Sequence, residues 1–384
     1  MSSPDAFEIG VSEEVAADLR ERLARARWPE QPGEEGDGWR LGADLAYARK
    51  LCAHWRERYD FSRLERLNEL TSVRWEGIHA LRATPARGAT GVPVVLLHGW
   101  PSSPIEYEAA ARLLADAGRE AIVPSLPGFA WSEDPGEPLN VAAMAGRLRR
   151  LLAEGLGVER FAVTGGDWGA ILAARIAFDD PERVAALHIS TPHALPVPGD
   201  LEKPPVSDEE GAWVERAQRW RRRHGQHLVI QGIAPDSISP ALADSPAGLA
   251  SYLLDKYRNW SDSGGDVESR FSRDELCDFM TMFWSTGTIA SSLRLYWAEG
   301  RDRWRLGPGE RVEVPAGFAV HPSEMSGGSG GEPAGLNPPR AWTERIFSDM
   351  RRWTEMPAGG HFAAFEEPEA YARELVAFLD DAGA

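Results

Sequence analysis

Residues 163–171 read VTGGDWGAI. An apolar, strand-like run, ERFAVTGG (159–166), leads into Asp167, and Trp168 and Gly169 open a helix-like run, GAILAARIAF (169–178). Such a strand–turn–helix commonly lifts a serine nucleophile off the carboxyl edge of a sheet. Here the position holds an aspartate. A carboxylate is ionised at neutral pH without help, since an ordinary Asp titrates at ~3.9. It can therefore attack an electrophilic sp3 carbon, such as that of an epoxide or alkyl halide, and form an alkyl ester on the protein. The flanking glycines permit a tight turn. The structural alternative is an Asp that merely caps the helix.

On both sides of this stretch, strands alternate with helices. VPVVLL (92–97) is a short apolar run of the kind buried on both faces of a sheet. Helix YEAAARLLADAG leads to strand EAIVPSLPG, helix NVAAMAGRLRRLLAEG to strand RFAVTGG, and helix GAILAARIAFD to strand VAALHIS. This alternation predicts a mostly parallel, doubly wound α/β sheet. It fails from about Pro196; residues 197–300 are mainly helical, and strand–helix signals return at 312–320 and 351–383. Ahead of the sheet lie an amphipathic helix at 12–28, capped by Ser12, a second helix over about 41–58, a third from Asp60, and a hairpin at 71–83 turning on Glu76-Gly77. The expected organisation is an N-terminal helical region (1–70), a first core segment (71–196), a helical cap (197–300) and a second core segment (301–384).

Composition narrows the partners. A net charge of −17 over 384 residues argues against nucleic acid. No stretch approaches the ~20 apolar residues of a membrane span, and the N-terminus lacks the pattern of a signal peptide. The two cysteines, Cys52 and Cys277, lie far apart without CxxC spacing, so no disulfide framework is expected and a cytoplasmic setting fits. The oligomeric state is open, a homodimer included.

Three further motifs carry chemistry. HGWP (98–101) follows a buried strand, where the loop supplies a backbone N–H to an oxyanion hole; Trp100 and Trp168 are the expected donors. His98 reads as structural, its ring bonding the loop backbone. AGGHF (358–362) places His361 where a late strand would present a base, and VHPSE (320–324) offers Glu324 at a strand end to orient it, with Glu332 and Asp349 as competing acids. The order Asp167, Glu324, His361 matches nucleophile, acid, base. GGSGG (327–331) matches GxSxG by letter but lacks the strand–turn–helix context. His188 and His193, read as a strand-end loop, and His224 and His227 lack zinc-ligand spacing, so neither metal nor cofactor is expected. The basic run at 216–225 reads as a solvated helix face.

Together these segments resemble the microsomal-type epoxide hydrolases of the α/β-hydrolase fold. HGWP, GGDWG, STGTIASS, DSPAGLASYLLDKY, WTEMPAGGHFAAFEEPE, RLARARWPE and HWRERYDFSRLERLN carry the resemblance along most of the chain. It implies Asp167 as nucleophile, His361 as base, Glu324 as its acid partner, and two cap tyrosines holding the epoxide oxygen. One is Tyr296. Where the other belongs the sequence reads HGQHLVIQG, so His227 or Gln226 becomes the candidate second donor. The implied reaction takes a small-molecule epoxide and water to a vicinal diol. The resemblance extends to enzymes of bacterial specialised metabolism acting on enediyne precursors, which suggests an aryl epoxide. Two rival readings are a haloalkane dehalogenase, which Tyr296 argues against because a halide leaves without a proton, and a non-catalytic ligand-binding protein on the same scaffold.

Overall fold

The structure is a computed structural model that describes residues 3–33, 38–192, 207–325 and 336–384. Nine strands form one sheet: β1 (Asp5–Ala6), β2 (Thr71–Trp75), β3 (Ile78–Ala83), β4 (Val94–Leu97), β5 (Ala121–Pro124), β6 (Phe161–Gly165), β7 (Val184–Ile189), β8 (Ala316–Val320) and β9 (Met350–Glu355). Their spatial order is β1-β2-β3-β5-β4-β6-β7-β8-β9. β4 to β9 pair in parallel; β1, β2 and β3 are antiparallel, as is the β3–β5 pair. Every residue of β4, β6 and β7 is buried, which explains why they read as unbroken apolar runs: helices cover both faces.

The chain leaves β4 in one direction toward β5 and returns past it to β6. The direction of winding therefore reverses between β4 and β6, and the crevice beyond their carboxyl ends is where ligands bind in open α/β sheets. HGWP follows β4 and GGDWG follows β6, so topology alone brings these two motifs together.

The N-terminal region is helical, with smaller elements than the sequence suggested. α1 (Glu13–Ala24) starts on Ser12, whose hydroxyl accepts from the Val15 N–H, and ends before Trp28. α2 (Leu45–Glu57) begins on Asp44, later than expected. Phe61–Glu69 is a 3-10 helix capped by Asp60. The hairpin turns at Glu76 and Gly77, both at positive φ (44° and 77°), as a two-residue turn between twisted strands requires.

Six of the helices fill the span between β7 and β8. After α3 (Glu108–Asp116), α4 (Val141–Arg150) and α5 (Trp168–Asp179) of the core come α6 (Asp208–His224), α7 (Gln226–Ile233), α8 (Ser239–Asp244), α9 (Pro246–Trp260), α10 (Arg273–Thr286) and α11 (Ile289–Arg301). A buried carboxylate ties this cap to the N-terminal region. Asp278 of α10 accepts from Tyr59 Oη (2.7 Å), Arg63 Nε (3.0 Å) and Arg66 Nη1 (2.9 Å). Only the carboxylate is fully buried; Arg63 and Arg66 stay about a third exposed, at 33% and 31%.

His188 lies within β7, hydrogen-bonded to Thr164 Oγ1 at 3.0 Å, rather than in a strand-end loop. His193, the boundary at 196–197, Glu332 and the GGSGG run lie outside the described residues.

Candidate active site

Asp167 takes φ 53° and ψ −127°, a strained conformation for a residue with a Cβ. The neighbouring glycines serve close approach rather than φ. A Cβ on Gly169 would stand 1.8 Å from the Leu97 carbonyl oxygen, and one on Gly99 2.4 Å from Asp167 Cβ. The β4 and β6 loops can meet only because these Cβ atoms are missing. The Asp167 N–H donates to Thr191 Oγ1, a contact the sequence reading missed because Thr191 lies just past β7, with no motif of its own.

Two backbone N–H groups hold the carboxylate. That of Trp100 donates to Oδ1 at 2.8 Å, and that of Trp168 is the second donor. Burial raises the carboxyl above its usual pKa; His361 and the two N–H groups work against that rise.

His361 follows β9 and precedes α13 (Ala363–Glu366), with α12 (Arg340–Thr343) earlier in the chain. Its N–H donates to the Trp260 carbonyl at 2.9 Å. Its Nδ1 lies 2.7 Å from Glu324 Oε1 and its Nε2 3.9 Å from Asp167 Oδ2. Burial lowers its pKa below the ordinary histidine value, with Asp167 pulling the other way. Glu324 is completely buried just past β8, whereas Asp349 pairs with Arg351 at 2.9 Å on the surface.

Above this line sits a cavity of about 460 Å³, into which Asp167, Trp168, Trp220, His227 and Tyr296 project. Tyr296 meets Trp168 edge-on at 4.9 Å and Trp100 at 5.8 Å. Burial first, then the Asp167 charge, push its phenol well above its usual pKa. His227 stacks on Trp100 at 5.8 Å and 11°, with Trp260 at 4.9 Å; burial holds its pKa down at about 3, so the ring is neutral. Gln226, the other candidate, is not at the site. It begins α7 on the exposed side, and its Nε2 donates to Asp255 Oδ2 at 3.0 Å. Trp220 and Trp260 were not singled out by sequence; the only hint was the count of fifteen tryptophans.

His98 is buried, its Nδ1–H donating to the Gly99 carbonyl (2.9 Å) while Nε2 accepts from the Leu126 N–H (3.1 Å). Its pKa, lowered by burial to about 4, leaves it neutral and structural. Among the described residues, no cluster of His, Cys, Asp and Glu could hold a metal ion, and no helix is long and apolar enough to cross a membrane.

The chain has recognisable relatives. Residues 4–107 match the epoxide hydrolase N terminus and residues 92–228 the alpha/beta hydrolase fold. A Stigmatella aurantiaca protein named as an epoxide hydrolase is 35% identical, over 96% of this chain and 83% of that one. Epoxide hydrolase 1 of Sus scrofa is 30% identical over 97% of this chain and 88% of its own. The chain belongs to the epoxide hydrolase family. The crystal structure of the juvenile hormone epoxide hydrolase from the silkworm Bombyx mori superposes with a TM-score of 0.82, at 28% identity, covering 100% of this chain and 95% of that one. This epoxide hydrolase thus combines an α/β-hydrolase sheet with a helical cap, and the dehalogenase and non-catalytic readings of GGDWG give way.

Proposed function

We propose that Asp167, His361, Glu324 and Tyr296 carry out epoxide opening in two steps, with the Trp100 and Trp168 N–H groups as the oxyanion hole and His227 as the second cap donor. The observation that carries this is the division of labour at the Asp167 carboxylate. Oδ1 rests on the Trp100 N–H at 2.8 Å, while Oδ2 faces His361 Nε2 at 3.9 Å.

In the first step Oδ2 attacks a ring carbon, the C–O bond breaks, and the departing oxygen takes the phenolic proton of Tyr296. The Asp167 charge that opposes a Tyr296 phenolate vanishes as the ester forms, so each half of the step assists the other. In the second step His361 takes a proton from water and the hydroxide attacks Cγ of Asp167. The developing oxyanion stays on the two N–H groups while Glu324 stabilises the imidazolium. Collapse releases the diol, whose oxygen takes the proton left on the tetrahedral centre. The imidazolium proton returns through solvent to Tyr296. The sum is epoxide plus water giving diol.

His227 is buried and neutral, beside Tyr296 at 5.9 Å, and so can supply an N–H to the same oxygen. The aromatic walls favour a bulky aryl epoxide, of the kind met in specialised metabolism and antibiotic biosynthesis, over short aliphatic ones. A styrene-oxide series assayed beside short aliphatic epoxides tests that preference. The reading keeps the division at 70, 196 and 300 and a soluble cytoplasmic enzyme with Cys52 and Cys277 as free thiols, and leaves the assembly open, a homodimer included. The mechanism is tested by one turnover in heavy-oxygen water. Label must enter the Asp167 carboxylate, and an unlabelled Asp167 with labelled diol would overturn it.

A further inference from the structure

The cavity above Asp167 does not end at its aromatic walls. A second cavity, of about 470 Å³, adjoins it, and the two share Trp168, Ile171, Arg221, Leu228, Tyr296 and Arg303. The outer one is lined by Val229 and Ile233 of α7, exposed at 59% and 68%. The two cavities thus share one wall, with the nucleophile on the inner side and the exposed α7 side chains on the outer side.

Two cations stand on the shared wall. Arg221 comes from α6 and Arg303 from just beyond α11, so separate elements place them there. Neither forms an ion pair or a side-chain hydrogen bond among the described residues. Arg222 and Arg223, next on α6, likewise show no ion pair among the described residues but line neither cavity, whereas other arginines nearby are engaged. Arg175 pairs with Asp179 at 2.8 Å, Arg294 with Asp134 and Asp236, and Arg301 covers the Trp297 ring at 3.7 Å while donating to the Gly232 carbonyl. The carboxylate that lines the outer cavity, Glu299, is already engaged: its oxygens accept from the Val141 and Trp304 N–H groups at 3.0 and 2.9 Å. The charge of Arg303 bears on Glu299, yet neither guanidinium has an ion-pair partner among the described residues, and in a chain with net charge −17 two such groups at the mouth of a cavity leave room for an anion from outside.

We infer that Arg221 and Arg303 form a subsite for a carboxylate carried by the substrate, at the end remote from its epoxide ring. The inference deepens the reading of Asp167 as nucleophile and rests on it. Remoteness follows from charge. A carboxylate next to the ring would face Asp167 in a poorly solvated cavity, whereas one at the shared wall meets two planar forks built for carboxylate geometry. The substrate class is thus an extended apolar or aryl epoxide acid.

The test compares trans-stilbene oxide, its 4-carboxylate and the methyl ester of that carboxylate, in wild type, Arg221→Gln, Arg303→Gln and the double variant. Wild type should prefer the acid to the ester. Each substitution should lower kcat/KM for the acid about 5- to 10-fold, mainly through KM, and leave the ester within about twofold, the size expected of partly exposed charge-assisted contacts. Added salt should narrow the acid–ester gap. Equal turnover of acid and ester by wild type, or equal losses on both in the variants, overturns the subsite. Calorimetric binding of the carboxylate diol gives a readout independent of chemistry. Weaker diol binding in the variants with no turnover of any epoxide would sustain the subsite and count against the catalytic reading. Unchanged diol binding would overturn the subsite.

Discussion

Glu324→Gln separates the two chemical steps. The substitution keeps the shape of a completely buried side chain and removes its charge, 2.7 Å from His361 Nδ1. A hydrogen bond to a charged group contributes about 1.5–3 kcal/mol. That contribution matters only while His361 is an imidazolium, which is during ester hydrolysis. A loss of about 2 kcal/mol slows that step ~30-fold. Alkylation requires no proton on His361 and should keep its rate. Rapid-quench mass spectrometry should therefore show a full burst of alkyl-enzyme at Asp167, followed by turnover reduced ~30-fold, with kcat/KM changed by less than about twofold because it reports events only through the first irreversible step. A variant in which kcat and kcat/KM fall together, with no ester accumulating, would refute the assignment of Glu324 to the second step.

Tyr296→Phe should do the opposite, lowering kcat/KM about 100-fold through loss of the general acid while the ester, once formed, hydrolyses at the wild-type rate. In a pH profile, activity should rise with pH as His361 loses its proton. Burial lowers the His361 pKa, so the acid limb should lie below the ordinary value of about 6.5. Alkylation also removes the Asp167 charge that raises this pKa, so the acid limb of single-turnover ester hydrolysis should lie lower still, and a limb centred above the ordinary value contradicts the assignment. Gly169→Ala drives a methyl group against the Leu97 carbonyl and should lower stability by about 3 kcal/mol, read as an earlier urea midpoint with unchanged slope.

The sheet was readable from sequence because its central strands are buried on both faces and flanked by helices of ordinary period; VVLL and FAVTG admit little else. Asp167, Glu324 and His361 were readable because each follows a strand, and strand ends converge at one edge of a parallel sheet. Residues set by helical phase were harder to place. Gln226 and His227 are adjacent, and neighbouring helical positions differ in direction by about 100°. Only the start of α7 at Gln226 decides that His227 enters the cavity while its neighbour turns to Asp255. The strain at the elbow was equally hidden, because a glycine in a motif reads the same whether it supplies φ or merely space. The cavity walls were beyond reach too: Trp220 and Trp260 lie on different cap helices, and their approach to His227 is a product of tertiary packing.

The two N–H groups at Asp167 bear on selectivity among reactions. Those of Trp100 and Trp168 are already committed to the protein's own carboxylate before any substrate arrives. A carboxylic ester or amide entering from solution would need the same donors for its carbonyl oxygen and finds them taken. The one carbonyl they can serve is that of Asp167 itself, once alkylated. On the proposed mechanism, an architecture shared with esterases is thereby closed to external acyl groups, with chemoselectivity set by occupancy of these donors rather than by the shape of the pocket.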